Sequence, residues 1–441
     1  MKKKSVLAAT LTAAMLGCSL FGGASTVLAE AEAETEETTA EVKSEEEFTL
    51  KVIYTNEESD GFSILERLYK EMYPNATIEG IAAPWGNGGA DTREKELVML
   101  QSGEIPDVGK MVWTKEFAKE GLLVDITDFV ESQPVFENLT DGQKDRMMYD
   151  GKYYSMTFSN NCVYMIYNKD ILEAAGFSEP PATMDEVTAL ADAILEKGLT
   201  TEDGRPIYLT NFEGGNFATD YWVWANGGEL MNEDYSETLI NSPESIEAYQ
   251  FMQDLVKNGS APKIDGTGNQ LFVNGQCAFL ITGEWDLPAI EDAGINYGVA
   301  TAPVGTSGTN TVPIGGAEYA VFEGSEHVEE ALDWIALYQS EEFQKETGYV
   351  TDMALYDDPE FQEVWKNDAD VSQRLEAKLV QRDQLQNTKY DFLEAPFIYQ
   401  DSKNIYADAL ERILVGLEDV ETTMNNAAQQ INDGIAAELA G

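Results

Sequence analysis

Strand-like and helix-like stretches alternate strictly between residues 48 and 112. "FTLKVIYT" (48–55) alternates apolar and polar side chains, as a strand does. "SILERLYKEMYP" (63–74) puts Ile64, Leu65, Leu68, Tyr69 and Met72 on one helical face and is stopped by Pro74. "ATIEGI" (76–81) is the next strand, "DTREKELVMLQSG" (91–103) a helix closed by Gly103, and "PDVGKMV" (106–112) a third strand. A β-α-β-α-β order of this kind implies a parallel sheet covered by helices.

The pattern breaks once and then resumes. "YYSMTF" (153–158) and "CVYMIYN" (162–168) are extended, with no helix between them, and read as a crossing from one lobe to another. A second α/β region follows. Thr183 to Glu186 form a capping box that opens a helix through Lys197, "PIYLT" (206–210) is a strand, and "DYWVWANGGEL" (220–230) is a helix ended by Asn226-Gly227-Gly228. Ser242-Pro243 starts a helix to about Asn258, and Cys277 to Thr282 is a short buried strand. "YGVATAPVG" (297–305) and "GAEYAVFEG" (316–324), joined by the Gly/Thr-rich 304–312, look like a return crossing. Val328, Ala331, Leu332, Ile335 and Tyr338 then mark a helix packed on a sheet, and the remaining residues are helical in pattern. The expected fold is α/β and two-lobed, each lobe a mainly parallel sheet flanked by helices, with a helical C-terminal region. The lobes are discontinuous: 48–157 plus 310–365 for the first, 158–309 plus 366–441 for the second.

Lys2, Lys3 and Lys4 precede an uncharged stretch, Ser5 to Ala29, which is the pattern of a secretory signal. Two endings are readable. "AMLGC" (14–18) is lipobox-like and would put a diacylglyceryl group on Cys18; "VLA" (27–29) is an ordinary cleavage site. Residues 30–47 carry nine Glu and one Lys and are expected to be a disordered tether. The formal charge is −52, from 28 Lys+Arg against 80 Asp+Glu. Such a surface repels nucleic acid and anionic membranes, so membrane contact is expected only through a lipid on Cys18. No basic patch is visible in the sequence, which argues against an acidic ligand. After cleavage Cys162 and Cys277 remain, both in apolar runs, and they are expected as free buried thiols.

The only histidine is His327, expected on the surface in the first turn of its helix. There is no G-x-S-x-G, H-E-x-x-H, C-x-x-C, G-x-x-x-x-G-K-[ST] or G-x-G-x-x-G. No metal site, cofactor or catalytic residue is therefore expected. Eighty acidic residues guarantee close carboxylate pairs by chance, so a glycosidase stays open by composition.

One stretch is unusual for a buried strand. In "NGQCAFLITGEWDLPAI" (274–290) the strand stops at Gly283 and Trp285 follows, where the backbone turns toward solvent. That stretch, together with "LQSGEIPDV" (100–108), "YNKDILEAAGFSEPPATMDEVTALADAI" (167–194), "WANGGELMNED" (224–234), "YGVATAPVG" and "GSEHVEEALDWIALYQSEEFQKE" (324–346), resembles the successive blocks of bacterial extracellular solute-binding proteins of family 1. The resemblance covers roughly 48–430. It implies two lobes with hinge strands and a ligand in the cleft between them.

Within that frame Trp285 holds the position of a sugar-stacking Trp. An indole face covers the C–H side of a sugar and does not compete for its hydroxyls. Glu284 beside it could accept hydroxyl hydrogen bonds. Gly315 and Gly316 are where the resemblance brings backbone close to ligand. Phe217 or Tyr221, with Asp220, are expected from the second lobe. Asn56 and Glu57 follow the first strand, Trp85 lies in a Gly-rich loop after the second, and Trp113 follows the third; each is a candidate because open α/β sheets bind ligand at strand carboxyl ends. Trp334 and Trp365 read as helix core. The resemblance implies a monomeric, exported carrier of a carbohydrate, an oligosaccharide by preference, that delivers to the permease subunits of an ABC importer. A secreted glycoside hydrolase, or the same fold binding another solute such as a peptide, is the alternative.

Overall fold

The computed structural model of the chain describes residues 42–55, 59–86, 89–212, 216–263, 269–389 and 399–440. The first sheet has five strands, in the order Thr77–Ala83, Thr49–Thr55, Val108–Met111, Glu318–Val321, Met156–Thr157. Its first three strands pair parallel, as the early alternation predicts. Glu318–Val321 pairs antiparallel with both neighbours, because it enters from the return crossing and not through a helix. The helices Ser59–Met72 and Ala90–Ser102 connect the parallel strands. Gly103 closes the second of them in the left-handed conformation, at φ +79°.

The second lobe's sheet departs from the parallel expectation. Its order is Tyr297–Ala300, Tyr164–Asn168, Phe279–Thr282, and both pairings are antiparallel. Tyr164–Asn168 arrives directly from the crossing, with no helix to turn it parallel to its partners. Helix starts follow the sequence closely: the Thr183 side chain accepts from the Glu186 backbone, and the Ser242 hydroxyl from Ser245.

Between the two sheets lies a third, of short strands: Thr388–Lys389, Val312–Gly315 and Asn161–Cys162. It joins the outward crossing to the return. The hydrophobic cores divide accordingly. One gathers Leu50, Val52, Val108, Met111, Trp113, Phe158, Tyr319, Trp334 and Phe343. The other gathers Val163, Met165, Leu190, Trp222, Tyr249, Phe279, Tyr406 and Ile431, with a satellite around Tyr164, Leu280 and Leu287. Val350, Tyr356, Phe361 and Trp365 also pack in this second core, although the sequence reading put residues up to 365 in the first lobe. The C-terminal helices Tyr399–Leu414 and Val420–Ala440 close it from outside.

The acidic segment 30–47 falls partly within the described residues, and there it is held. The Lys43 backbone donates to Met72 O at 2.9 Å, the Asn75 amide to Glu45 O at 2.8 Å, and the segment's one base, Lys43, pairs with Asp333. The contact satisfies the last carbonyl of a helix, which a freely moving tether would leave to water. His327 is half-buried, its ring 5.1 Å from that of Phe48, and stands at the N-cap of Val328–Leu337 and not on open surface.

Cys162 and Cys277 are buried thiols not joined in a disulfide, as expected. Burial pushes the Cys162 thiol well above its ordinary pKa, which suppresses the reactive thiolate. Both thiols should therefore resist labelling in the native protein and react only on unfolding, and reductant should leave the melting temperature unchanged. Rapid native labelling at either position, read by peptide mapping, would contradict their placement.

Candidate functional site

A cavity of about 860 Å³ opens between the two cores. Trp85, Lys110, Val112, Phe158 and Tyr349 line it from the first, and Phe217, Trp285, Pro288 and Trp365 from the second. The crossing strand contributes Ile314, Gly315 and Gly316.

Trp285 owes its position to the residues around it. The strand Phe279–Thr282 is wholly buried and ends at Gly283, followed by a 3₁₀ turn, Glu284–Asp286. A Cβ on Gly283 would lie 2.1 Å from the indole, so glycine is what lets the ring fold back over the chain. Asp286 anchors the turn, accepting from the Thr282 hydroxyl at 2.5 Å and from the Asn269 amide. The indole remains 48 % exposed, with the Phe217 ring 6.3 Å away at 50°. The exposed indole thus presents a flat apolar face to a concave, largely apolar wall.

Gly315 and Gly316 also line the cavity; a side chain at Gly315 would displace the end of Asn161, and Gly316 requires glycine. The Asn161 Oδ1 sits 2.0 Å from where a Gly315 Cβ would be. Gly316 has φ +98°, and its Cβ would meet the Ser159 carbonyl oxygen at 2.4 Å. Beneath them Arg146 donates to Gly315 O at 2.5 Å and to Gly316 O at 2.9 Å. Its Nε contacts Glu318, which accepts from the Thr114 hydroxyl at 3.3 Å. The pair is fully buried. Burial pushes the Glu318 carboxyl up, to about 7, against the opposing pull of Arg146.

Three expected residues lie elsewhere. Asp220 and Tyr221 are buried in the second core: Tyr406 donates to Asp220 at 3.2 Å, and Tyr221 donates to Pro303 O at 2.7 Å. They stand about one helical turn beyond Phe217, roughly 5 Å along the axis, and only the first turn of Asn216–Ala225 reaches the cavity. Trp113 is also buried, its Nε1 donating to Glu96 at 3.0 Å. Burial drives that carboxyl well above its ordinary pKa. Gly89 packs between the Trp113 and Trp85 rings, so Trp85 faces the cavity and Trp113 backs it. Asn56 and Glu57 lie outside the described residues.

Glu284 lines the cavity, but its oxygens are engaged. Lys378 Nζ lies 2.8 Å away and Arg374 3.4 Å away. These two, with Lys110, Arg146 and Lys345, make five bases on the lining, where the sequence showed no basic patch. They come from four distant segments, so no run of sequence reveals them. Carboxylates match most of them: Arg374 also pairs with Asp368 at 3.2 Å, and Lys345 with Glu360 at 2.5 Å. Lys110 donates to the Thr55 hydroxyl at 3.0 Å and stands 4.8 Å over the Trp85 ring. Trp365, expected as core, is buried yet also walls the cavity. Among the described residues no group of three or more His, Cys, Asp or Glu could hold a metal.

The sequence profile of the bacterial extracellular solute-binding proteins matches residues 55–345. The maltotriose-binding protein of Pyrococcus abyssi is 26 % identical over 258 residues, 57 % of this chain and 53 % of that one. The sn-glycerol-3-phosphate-binding periplasmic protein UgpB of Brucella abortus is 26 % identical over 405 residues, 87 % of this chain and 88 % of that one. Among solved structures, UgpB of Mycobacterium tuberculosis in complex with glycerophosphocholine superposes with a TM-score of 0.75 at 19 % identity, covering 89 % of this chain and 99 % of that one. The ABC substrate-binding protein Lmo0181 of Listeria monocytogenes, in complex with cycloalternan, gives 0.73 at 21 % identity, covering 89 % and 100 %. These likenesses establish the two-lobed binding-protein fold.

Proposed function

This chain belongs to the bacterial extracellular solute-binding proteins, and from that premise we propose that it captures a neutral oligosaccharide between its lobes and delivers it to the permease of an ABC importer. The observation that carries the reading is the half-exposed Trp285 on the wall of a cavity of about 860 Å³, with Phe217 beside it. A cavity of that size is at the upper end of small-ligand sites and suits several sugar rings better than a glycerol phosphate. The matched charges favour a neutral ligand over an anion, because an anion would have to compete with Glu284, Asp368 and Glu318 for their bases. Trp285, Phe217, Trp85 and Trp365 are the apolar faces; the Gly315–Gly316 backbone and Asn161 supply polar contacts.

The protein acts by binding and lobe closure, with no bond made or broken. Glu284, the carboxylate next to Trp285, is held by two cations and is not placed as a free acid. The chain works outside the cytoplasm as a monomer, freed after Ala29 or tethered through Cys18. Among the described residues no helix is long and apolar enough to cross a membrane.

A thermal-shift screen tests the reading, since a ligand bound only by the native state raises the melting temperature. A neutral oligosaccharide is expected to give the largest rise, with no product after prolonged incubation. A larger rise with glycerol 3-phosphate or a peptide would overturn the sugar assignment, and turnover would overturn the binding-only mechanism. Small-angle scattering on the same mixtures should show compaction, because the three-stranded crossing sheet is the connection about which the lobes turn.

A further inference from the structure

On the cavity floor one side chain touches three elements. Lys378, on the helix Arg374–Leu385, has a side chain only 4 % exposed. Its Nζ lies 2.8 Å from Glu284 Oε2 and 2.9 Å from Oε1. The same ammonium donates to Gly348 O at 3.1 Å and stands 5.8 Å from the centre of the Trp365 ring. These partners belong to different parts of the molecule. Glu284 opens the turn that carries Trp285. Gly348 is the left-handed C-cap of Glu341–Thr347, a helix anchored in the first core by Phe343. Lys378's own helix packs in the second core through Ala377 and Leu385.

Burying an ammonium is costly, and a Met of similar length would fill the space without that cost. What Met cannot do is bind a carboxylate and a helix-terminal carbonyl at once. A cation is favoured at that carbonyl, because the C-terminus is the negative end of the helix. The arrangement makes sense if the position of Glu284 relative to Gly348 matters.

We propose that Lys378 is a positioning residue for ligand capture, tying the turn that bears Trp285 to the first lobe through Glu284 and Gly348. The inference rests on the cleft being the ligand site. The tie sets how far the stacking indole stands from the opposite wall, so affinity and lobe arrangement both depend on a residue that need not touch the sugar. Arg374 holds Glu284 from the same helix but has no contact with Gly348 among the described residues, so it cannot replace the tie.

Lys378→Met, Lys378→Arg and Glu284→Gln are to be compared with the parent in three measurements: oligosaccharide affinity by calorimetry, melting temperature, and the ligand-free radius of gyration. Lys378→Met and Glu284→Gln should each weaken binding by ~10-fold or more, the loss of a charged hydrogen bond. Each should enlarge the ligand-free protein and lower the melting temperature only modestly. Lys378→Arg, which keeps the charge, should recover most of the affinity. A merely structural lysine predicts a lowered melting temperature with parental affinity in the folded protein, and that result would overturn the proposal. If the parent binds no sugar, the function assigned to the cleft fails, but scattering still decides the tie without ligand: an unchanged radius in both charge-removing variants overturns it. If Lys378→Met does not fold, Glu284→Gln breaks the same tie from its more exposed end.

Discussion

Replacing Trp285 with alanine is expected to weaken oligosaccharide binding by about 30- to 1,000-fold. The indole is the largest exposed apolar face on the cavity wall, and stacking on a sugar would bury most of what is now 48 % open. Losing that contact costs about 2–4 kcal/mol. Stability should change little, because the ring packs on Gly283 and Phe217 and not in either core. Calorimetry beside a melting curve checks both halves. A strongly lowered melting point with parental affinity would mean that the ring plugs the sheet edge and is no ligand platform.

Glu318→Ala should produce the largest loss of stability of any single substitution at the site. It removes the carboxylate facing Arg146, whose fully buried guanidinium also donates to Gly315 O and Gly316 O. Breaking a buried pair from one side costs about 3–5 kcal/mol, which in a chain of this size lowers the melting temperature by roughly 4–6 °C. The double variant Arg146→Met/Glu318→Ala should lose less than the single losses of Arg146→Met and Glu318→Ala combined, because the unpaired charge is gone. Denaturant melts of the three variants measure this. Full additivity would show that the two groups do not depend on each other. The pair also holds the Gly315–Gly316 backbone at the cavity, so variants that fold should bind ligand more weakly.

The elements easiest to read in the sequence were those whose signals are local. The alternation from 48 to 112 carries its own periodicity and yields the three parallel strands. Ser242-Pro243 and Gly103 mark helix ends through the chemistry of single residues. Gly283 and Trp285 stood out because a glycine and a large aromatic follow a wholly apolar run, and the structure places Trp285 on the cavity wall with Gly283 packed against its ring. Depth was harder. Phe217, Asp220 and Tyr221 share a helical face, yet only Phe217 reaches the cavity, because period says nothing of where a helix enters the core. Trp365 and Trp113 show the same ambiguity from opposite sides: both are buried aromatics, and only the packing of neighbours decides which one walls a cavity.

Charge was the least readable. Lys378 and Glu284 are 94 residues apart, and Arg146 and Glu318 lie on opposite sides of the interlobe crossing. Against 80 acidic residues a handful of bases leaves no trace in composition, and their convergence on one cavity is a property of the fold. The antiparallel second sheet was missed for a related reason, since strand direction there is set by the crossing and not by any residue in the strands.

The cleft lined by Trp285 and Phe217 is proposed to hold a neutral oligosaccharide. Calorimetric titration of the protein with neutral oligosaccharides of increasing length tests it most directly. Saturable binding at one site per chain is expected, strengthening with length until the cavity is filled, with a negative heat-capacity change as the apolar walls are covered. Heats indistinguishable from dilution across the whole series, with saturable binding of glycerol 3-phosphate or a peptide instead, would contradict it.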